Sequence, residues 1–397
     1  MDAKWDCAPR VRAESGGGMR QLKIALVAHG IHFRGGMERS FAELTRALCD
    51  DHDVHLFASE VGDVPREKIS VHAVNVRHKP IAVKFLQFYA QSSRMLRAEH
   101  FDIVHTIGGI TARQDMVTAQ YCQHAWGDAI KREAGAAEGI TAYHQFMWRL
   151  TGYFEKRAVT SPLTRAVGAN SERTKADIIQ FYGTDANKIS VIYNGVDPVR
   201  FTPENRQCRM AIRSRYGISE TEFVLFFAGE YRRKGLANVI RALGQIKQPN
   251  VRLLAVGQGD HARYRALAAE AGVGSQVTLA GPARDIEQVF GAVDAFVFPT
   301  LYEPFGMVIT EAMASGLPVI TSRRAGAAEF ITEGLNGFLL DTPGDPAELA
   351  GKLRLVTALK AKGIEMGTYA RESVLSYNWK TVADKTLALY EQIRKAA

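Results

Sequence analysis

The sequence predicts an α/β protein built on two doubly wound parallel sheets, and three observations carry that reading. Short apolar, β-branched runs recur with helical stretches between them, the runs lack period-two alternation, and the series breaks once near residue 200. Runs without alternation are expected where both faces of a strand are covered, and strand–helix alternation is expected of βαβ units. In the first half the predicted strands are Lys23–Ala28, Val54–Ala58, Ile69–Val74, Asp102–Ile107, Met116–Tyr121, Arg165–Asn170 and Ile189–Tyr193. In the second half they are Phe223–Gly229, Val251–Gly257, Val277–Gly281, Ala295–Thr300, Pro318–Ser322 and Phe338–Asp341. Between the two series, Asn194-Gly195-Val196-Asp197-Pro198 supplies turn chemistry and a polar stretch runs on through Glu222, which marks a domain junction. The expected units are a disordered extension over 1–19 (Met19 offers a second start), a first domain over 20–200, a second over 201–375, and a closing helix over 376–397. Trp379, Val382, Leu387, Leu389, Tyr390 and Ile393 give that last segment an amphipathic face that should dock back toward the first domain.

Composition narrows the function classes. With 397 residues, 46% hydrophobic and 23% charged, the chain is neither disordered nor fibrous. No run approaches the roughly 18 apolar residues of a membrane span, and the first twenty residues hold no leader-like apolar block, so a cytoplasmic location is expected. Cys7, Cys49, Cys122 and Cys208 lie far apart and form no CxxC pair, against a disulfide framework or a Cys-rich zinc site. A net charge of +8 favours acidic partners such as nucleotide diphosphates or anionic lipid.

Four segments carry candidate chemistry, each following a predicted strand. In His29–Glu38, Gly35 and Gly36 precede a helix with Phe41, Leu44, Ala47 and Leu48 on one face. Such a loop either brings backbone N–H groups and a helix dipole to an anion or uses glycine only to turn. In Gly229–Gly235, the cations Arg232, Arg233 and Lys234 suit a diphosphate whose charge grows as it departs. In Phe296–Glu311, a strand, a loop and a helix starting near Gly306 or Met307 place one carboxylate, Glu303, in the loop and another, Glu311, in an otherwise apolar helix. Glu311 should therefore be partly buried, and the pair can hold hydroxyls at two places on one polyhydroxylated ligand, while the N–H groups of Phe305, Gly306 and Met307 point at an anion or a hydroxyl. His124, beside Gln123 and Trp126, should face the same cleft. Two rival motifs fail: Val256–Ala262 matches GxGxxA, but the next strand ends without an acid to grip a ribose, and Asp51-His52-Asp53 precedes its strand. The segment Arg77–Ala98, with Arg77, Lys79, Lys84, Arg94 and Arg97 and no acid, is either a helix that lies on an anionic membrane or a packed helix with a basic rim.

Assembled, these segments resemble the retaining glycosyltransferases of family 4, and within them the lipopolysaccharide-core glucosyltransferase branch. The likeness runs from about Lys23 to Tyr390. Its most specific part is PTLYEPFGMVITEAMASGLPVITSRRAGAAEFI, residues 299–331, with the E-x7-E signature at Glu303 and Glu311. The NGVD turn, Trp379 and the returning C-terminal helix match as well. The resemblance implies the two-domain GT-B fold and transfer, with retention, of a hexosyl unit from a nucleotide-diphosphate sugar, UDP being the expected carrier, to a glycan or glycolipid acceptor. Glu311 would take the ribose hydroxyls and Glu303 the sugar hydroxyls, with Phe305, Gly306, Met307 and Val308 lining the sugar and phosphate site. Lys234 and either Arg232 or Arg233 would bind the diphosphate with Gly35 and Gly36, His124 would stand near the reacting sugar, and Gln123 and Trp126 would meet the acceptor. Neither a divalent metal, a further cofactor nor nucleic acid is expected. An epimerase or phosphorylase on the same architecture, or a non-catalytic nucleotide-binding module, are the alternatives. The chain departs from the pattern at Glu230, where many relatives have Arg or Ser, and its cationic turn is one residue shorter.

Overall fold

The computed structural model describes residues 21–77, 79–133, 141–359 and 362–395; the extension expected over 1–19 and Cys7 lie outside these. In the first half the strands are β1 Lys23–Val27, β2 Gly30–Ile31, β3 Asp53–Ala58, β4 Glu60–Val61, β5 Ser70–Ala73, β6 Ile103–Ile107, β7 Met116–Ala119, β8 Ala166–Ala169 and β9 Ile189–Val191. In the second they are β10 Phe223–Glu230, β11 Val251–Gln258, β12 Val277–Ala280, β13 Ala295–Phe298, β14 Val319–Ser322 and β15 Gly337–Leu340. A seven-stranded sheet has the order β5-β3-β1-β6-β7-β8-β9 and a six-stranded sheet the order β12-β11-β10-β13-β14-β15. Every pairing within them is parallel. Each predicted run is a strand of one of these sheets, with ends within two residues of the prediction. The ribbon β2–β4 is too short to show a period and has no counterpart in the sequence reading.

The inner strands of the sheets are buried on both faces, which is why they read as unbroken apolar runs: β1, β8, β13, β14 and β15 carry no exposed residue, whereas the edge strand β5 is largely exposed. The chain crosses between the halves at two adjacent places. Val196 N–H donates to Tyr377 O at 2.9 Å, and a Cβ on Gly195 would meet the Trp379 ring at 2.7 Å. Helix Trp379–Lys395 then returns to the first sheet, where Ala383, Leu389, Tyr390 and Ile393 join the core of β1, β3 and β6. The Tyr390 hydroxyl lies 2.6 Å from His105 Nδ1, and burial holds that imidazole neutral, with its pKa down to about 3.

The halves also touch beside the gap between them. Glu329 of the second half accepts the Glu172 and Arg173 N–H groups at 3.2 and 3.1 Å, at the start of first-half helix Glu172–Tyr182. Its carboxylate also accepts the Tyr193 hydroxyl at 2.8 Å, and Ser171 Oγ donates to Pro304 O at 2.8 Å. Anionic Glu329 at that helix N-terminus is favourably placed against the dipole. These contacts set the carboxyl ends of both sheets across a common gap.

Candidate active site

The gap has a volume of about 500 Å³ and is lined by Gly36, Gln123 and Trp126 from the first half and by Arg233, Glu303 and Phe305 to Met307 from the second. On the second-half wall, strand β10 ends in the turn Tyr231–Gly235, before helix Leu236–Ile246. Glu230, the departure noted in the sequence, accepts the Arg232 and Arg233 N–H groups at 2.9 and 2.8 Å and so holds the cationic turn together. At its end, Gly235 (φ 84°) passes so close to Pro299 that a Cβ would meet the Pro299 carbonyl oxygen at 2.4 Å. The turn splits its cations. Lys234 is buried with its ammonium against Glu303 and over the Phe298 ring. Arg233 is exposed, borders the gap and lies 3.8 Å from Glu303, whereas Arg232, also exposed, is not among the residues lining the gap. Burial, then the Arg233 charge, push the Lys234 pKa well below its ordinary value, and the Glu230 charge opposes both.

Helix Met307–Ala314 begins at Gly306, whose φ of 95° lets the loop turn into the helix without a Cβ striking Glu303 and Ile309. The first-turn N–H groups of Met307 and Val308 have no partner one turn earlier, so they stand at the gap as donors. The Val308 side chain packs against the second-half core instead. Glu311 is buried, as its apolar helix implies, and its Oε1 takes a 2.7 Å bond from Arg39 Nη1. Arg39 belongs to helix Gly36–Leu48, whose N-cap Gly35 provides no side-chain cap. Gly36 therefore opens onto the gap with backbone N–H groups unclaimed, and a Cβ there would lie 3.7 Å from Met307 Sδ across it.

His124 is placed differently from the expectation. Helix Gln123–Glu133 directs Gln123 and Trp126, three residues apart, at the gap, while His124 lies about 100° further round. Its ring packs on Gly152, and its Nδ1 is 3.1 Å from the Tyr182 hydroxyl, so it is not among the gap-lining residues. At the sheet edge stand three carboxamides that the sequence reading passed over. Asn170 Nδ2 donates to Gln120 Oε1 at 3.1 Å, Asn194 Nδ2 to the same oxygen at 3.2 Å, and Gln120 Nε2 to Ser40 Oγ at 3.0 Å. Their signal was available: each is a polar residue within three positions of the end of a buried strand.

A second cavity of about 350 Å³ opens from the first-half side and shares Met37, Glu38, Gln120, Tyr121 and Gln123 with the gap. Its wall is largely apolar, with Ile81, Phe85, Ile107, Ile110 and Met147, and it includes Lys84 and Glu155. Glu155 is buried and accepts the Gln123 N–H at 2.8 Å and the Tyr182 hydroxyl; burial pushes its pKa up to about 7 against those two bonds. His29, in the same wall, is driven down to about 4 by burial and then by the Lys84 charge.

Comparison with known proteins decides what this architecture is. The family model "Glycosyltransferase Family 4" matches residues 34–200 and "Glycosyl transferases group 1" matches residues 209–373. The chain belongs to glycosyltransferase family 4. It is a sugar-transferring enzyme with the GT-B fold. This glycosyltransferase is 26% identical over 396 residues to the uncharacterized glycosyltransferase MJ1607 of Methanocaldococcus jannaschii, covering 93% of this chain and 98% of that one. It is 25% identical over 333 residues to the lipopolysaccharide glucosyltransferase WaaG of Escherichia coli, covering 81% and 85%. Among solved structures, a WaaG crystal structure superposes with a TM-score of 0.76 at 22% identity, covering 92% of this chain and 99% of WaaG. Anabaena HepE in complex with UDP-glucose superposes with a TM-score of 0.72 at 20% identity, covering 94% and 100%.

Proposed function

We propose that this glycosyltransferase moves a hexosyl unit, with retention at the anomeric carbon, from a UDP-sugar to an amphiphilic glycolipid or envelope-glycan acceptor. One observation carries the reading: a gap wall of Arg233, Glu303 and a helix start, backed by Lys234 against Glu303 and by Glu311 against Arg39, adjoins a first-half cavity that is mostly apolar. The UDP-glucose complex of the HepE relative and the lipopolysaccharide role of WaaG support the donor and acceptor classes. In this reading Lys234, Arg233 and the N–H groups of Gly36, Met307 and Val308 hold the diphosphate, with Gly35 shaping the loop. Glu303 takes sugar hydroxyls and Glu311 the ribose, while Gln123 and Trp126 meet the acceptor. Arg232 stays at the surface and His124 has no contact with substrate.

The acceptor enters from the apolar cavity, on the face from which the diphosphate leaves. The bond from the anomeric carbon to the phosphate oxygen breaks as the acceptor oxygen bonds to that carbon, and the acceptor proton passes to the departing phosphate oxygen. Buried Lys234 and the Arg233 beside it stabilise the growing negative charge in a site with little water. Nucleotide release from UDP-, GDP- and ADP-sugars, with and without glycolipid, tests this, and the anomeric configuration of the product is read by NMR. Release with UDP-sugars that depends on acceptor is expected; an inverted product or acceptor-independent turnover overturns the reading.

Membrane contact belongs to the same proposal. Helix Ile81–Arg97 buries Phe85, Phe88 and Leu96, leaves Ile81 and Leu86 exposed, and carries Lys84, Arg94 and Arg97, with Arg77 and Lys79 just before it. Tyr143 and Phe146 of helix Ala142–Thr160 are exposed as well, and the Tyr143 hydroxyl accepts the Ala82 N–H at 3.2 Å, so the two helices share one apolar, basic surface. No helix among the described residues is long and apolar enough to cross a membrane. Salt-sensitive pelleting with anionic vesicles is expected, and its absence removes this part of the proposal.

A further inference from the structure

We infer that the outer strands of the first sheet carry a zinc-class metal site formed by His55 Nδ1, His72 Nε2 and Glu99 Oε2. His55 lies on β3, His72 on the edge strand β5, and Glu99 just past helix Ile81–Arg97. None of the three lines the gap or the adjoining cavity. The two imidazole nitrogens are 2.8 Å apart, Glu99 Oε2 is 4.0 Å from His55 Nδ1, and the three ligand atoms all fall within 4.8 Å of one another. Ligands at about 2.0–2.1 Å on a tetrahedral zinc ion stand roughly 3.3 Å apart, so the ion needs the histidines to part by about half an ångström and Glu99 to close on His55 by about 0.7 Å.

Three features prepare the site. Asp53 Oδ1 lies 3.2 Å from His55 Nε2, a position that favours a proton on Nε2 and leaves Nδ1, which faces His72, as the ligand atom. A carboxylate behind a ligating histidine is the usual way of fixing the tautomer and raising ligand basicity. Aromatic rings hold both imidazoles: Phe57 stacks on His72 at 4.3 Å and 4°, and Phe101 meets His55 edge-on at 5.1 Å. The surrounding field is negative, since Asp53, Glu99 and Asp102 outnumber Lys23, whose ammonium contacts Glu99 through Oε1 and whose N–H is taken by Asp102.

Two imidazoles and one carboxylate with a coordination position left over suit zinc rather than magnesium or calcium, which prefer all-oxygen sites. Bound there, the ion ties the edge strand, its neighbour and the end of helix Ile81–Arg97, and takes no part in transfer. The ligands are 17 and 27 residues apart in the chain, so no short motif announces them.

Metal-free full-length protein titrated with zinc by calorimetry tests the inference. One equivalent bound, a raised Tm, and a tetrahedral visible spectrum with cobalt are expected, all lost in His72→Gln. Asp53→Asn, at an exposed strand start, should weaken zinc about 10- to 100-fold without touching a ligand. Circular dichroism establishes that both variants are folded, and if His72→Gln is not, Asp53→Asn decides. No stoichiometric binding, or binding unchanged in both variants, overturns the site and leaves a hydrogen-bonded histidine pair.

Discussion

On the second-half wall of the gap, charge is concentrated in two short segments, 230–235 and 299–311, each at the end of a strand. The adjoining first-half cavity is instead lined by Ile81, Phe85, Ile107, Ile110 and Met147, drawn from three separate stretches of the chain. The contrast matches two chemical tasks. A diphosphate needs fixed positive charge and N–H groups where negative charge grows, and these act most strongly where water is scarce. An apolar portion of an acceptor needs only area removed from water, worth about 25 cal/mol per Å². Charge should therefore govern turnover on one wall and acceptor affinity should depend on shape and apolarity on the other.

The largest expected effect lies on the charged wall. Lys234→Ala removes the buried cation against Glu303, so kcat should fall about 10²- to 10³-fold, the range found when one transition-state donor is lost. Steady-state kinetics with a saturating UDP-sugar measure it, and turnover within a few-fold of wild type would break the comparison. Next comes the apolar wall. Met147→Glu places a carboxylate where the acceptor's apolar portion would sit, and the acceptor KM should rise about tenfold with the donor KM unchanged. A rise in donor KM instead would show that the walls do not divide the work.

The same contrast explains what was legible in the sequence. Burial on both faces made the inner main-sheet strands visible as apolar runs, and the donor wall was visible because its groups are contiguous and sit where strands end. Glu311 was readable as partly buried because its helix neighbours Ile309, Ala312 and Met313 are apolar. The acceptor wall left no local signature, since its residues meet only through the fold. His124 was misplaced because position after a strand does not fix the angle round the helix that follows: Gln123 reaches the gap and its neighbour does not. Arg39 was missed for a related reason, as its partner Glu311 lies 272 residues away.

That Arg39–Glu311 pair joins the two walls, and breaking it should have a smaller effect than either change above. Removing one partner of a fully buried pair typically costs 3–5 kcal/mol of stability, but here the halves can separate and admit water. The cost of Arg39→Gln should therefore appear as opening, with little loss of Tm. The donor KM should rise about fivefold, because Glu311 loses the bond that orients its Oε1, and kcat should hold. A larger radius of gyration by small-angle scattering without donor, narrowing when UDP is added, is the accompanying sign; an unchanged radius and KM would make the pair incidental.

The last effect, on stability and not on turnover, concerns the acceptor wall's buried acid. Burial raises Glu155 to about 7, far above an exposed glutamate, so the folded protein holds a proton there that the unfolded chain has already released. Between those two pKa values the folded state binds more protons, and stability must fall as pH rises, by up to roughly 1.4 kcal/mol per pH unit, flattening above about 7. Glu155→Gln keeps an oxygen for the Gln123 N–H and the Tyr182 hydroxyl but cannot ionise. Urea unfolding of both proteins across the window from about pH 5 to pH 8 should show the decline in the wild type and a shallower one in the variant. Parallel curves would mean that water reaches this carboxyl in the folded state, and the first-half cavity would then be wetter than its apolar lining implies.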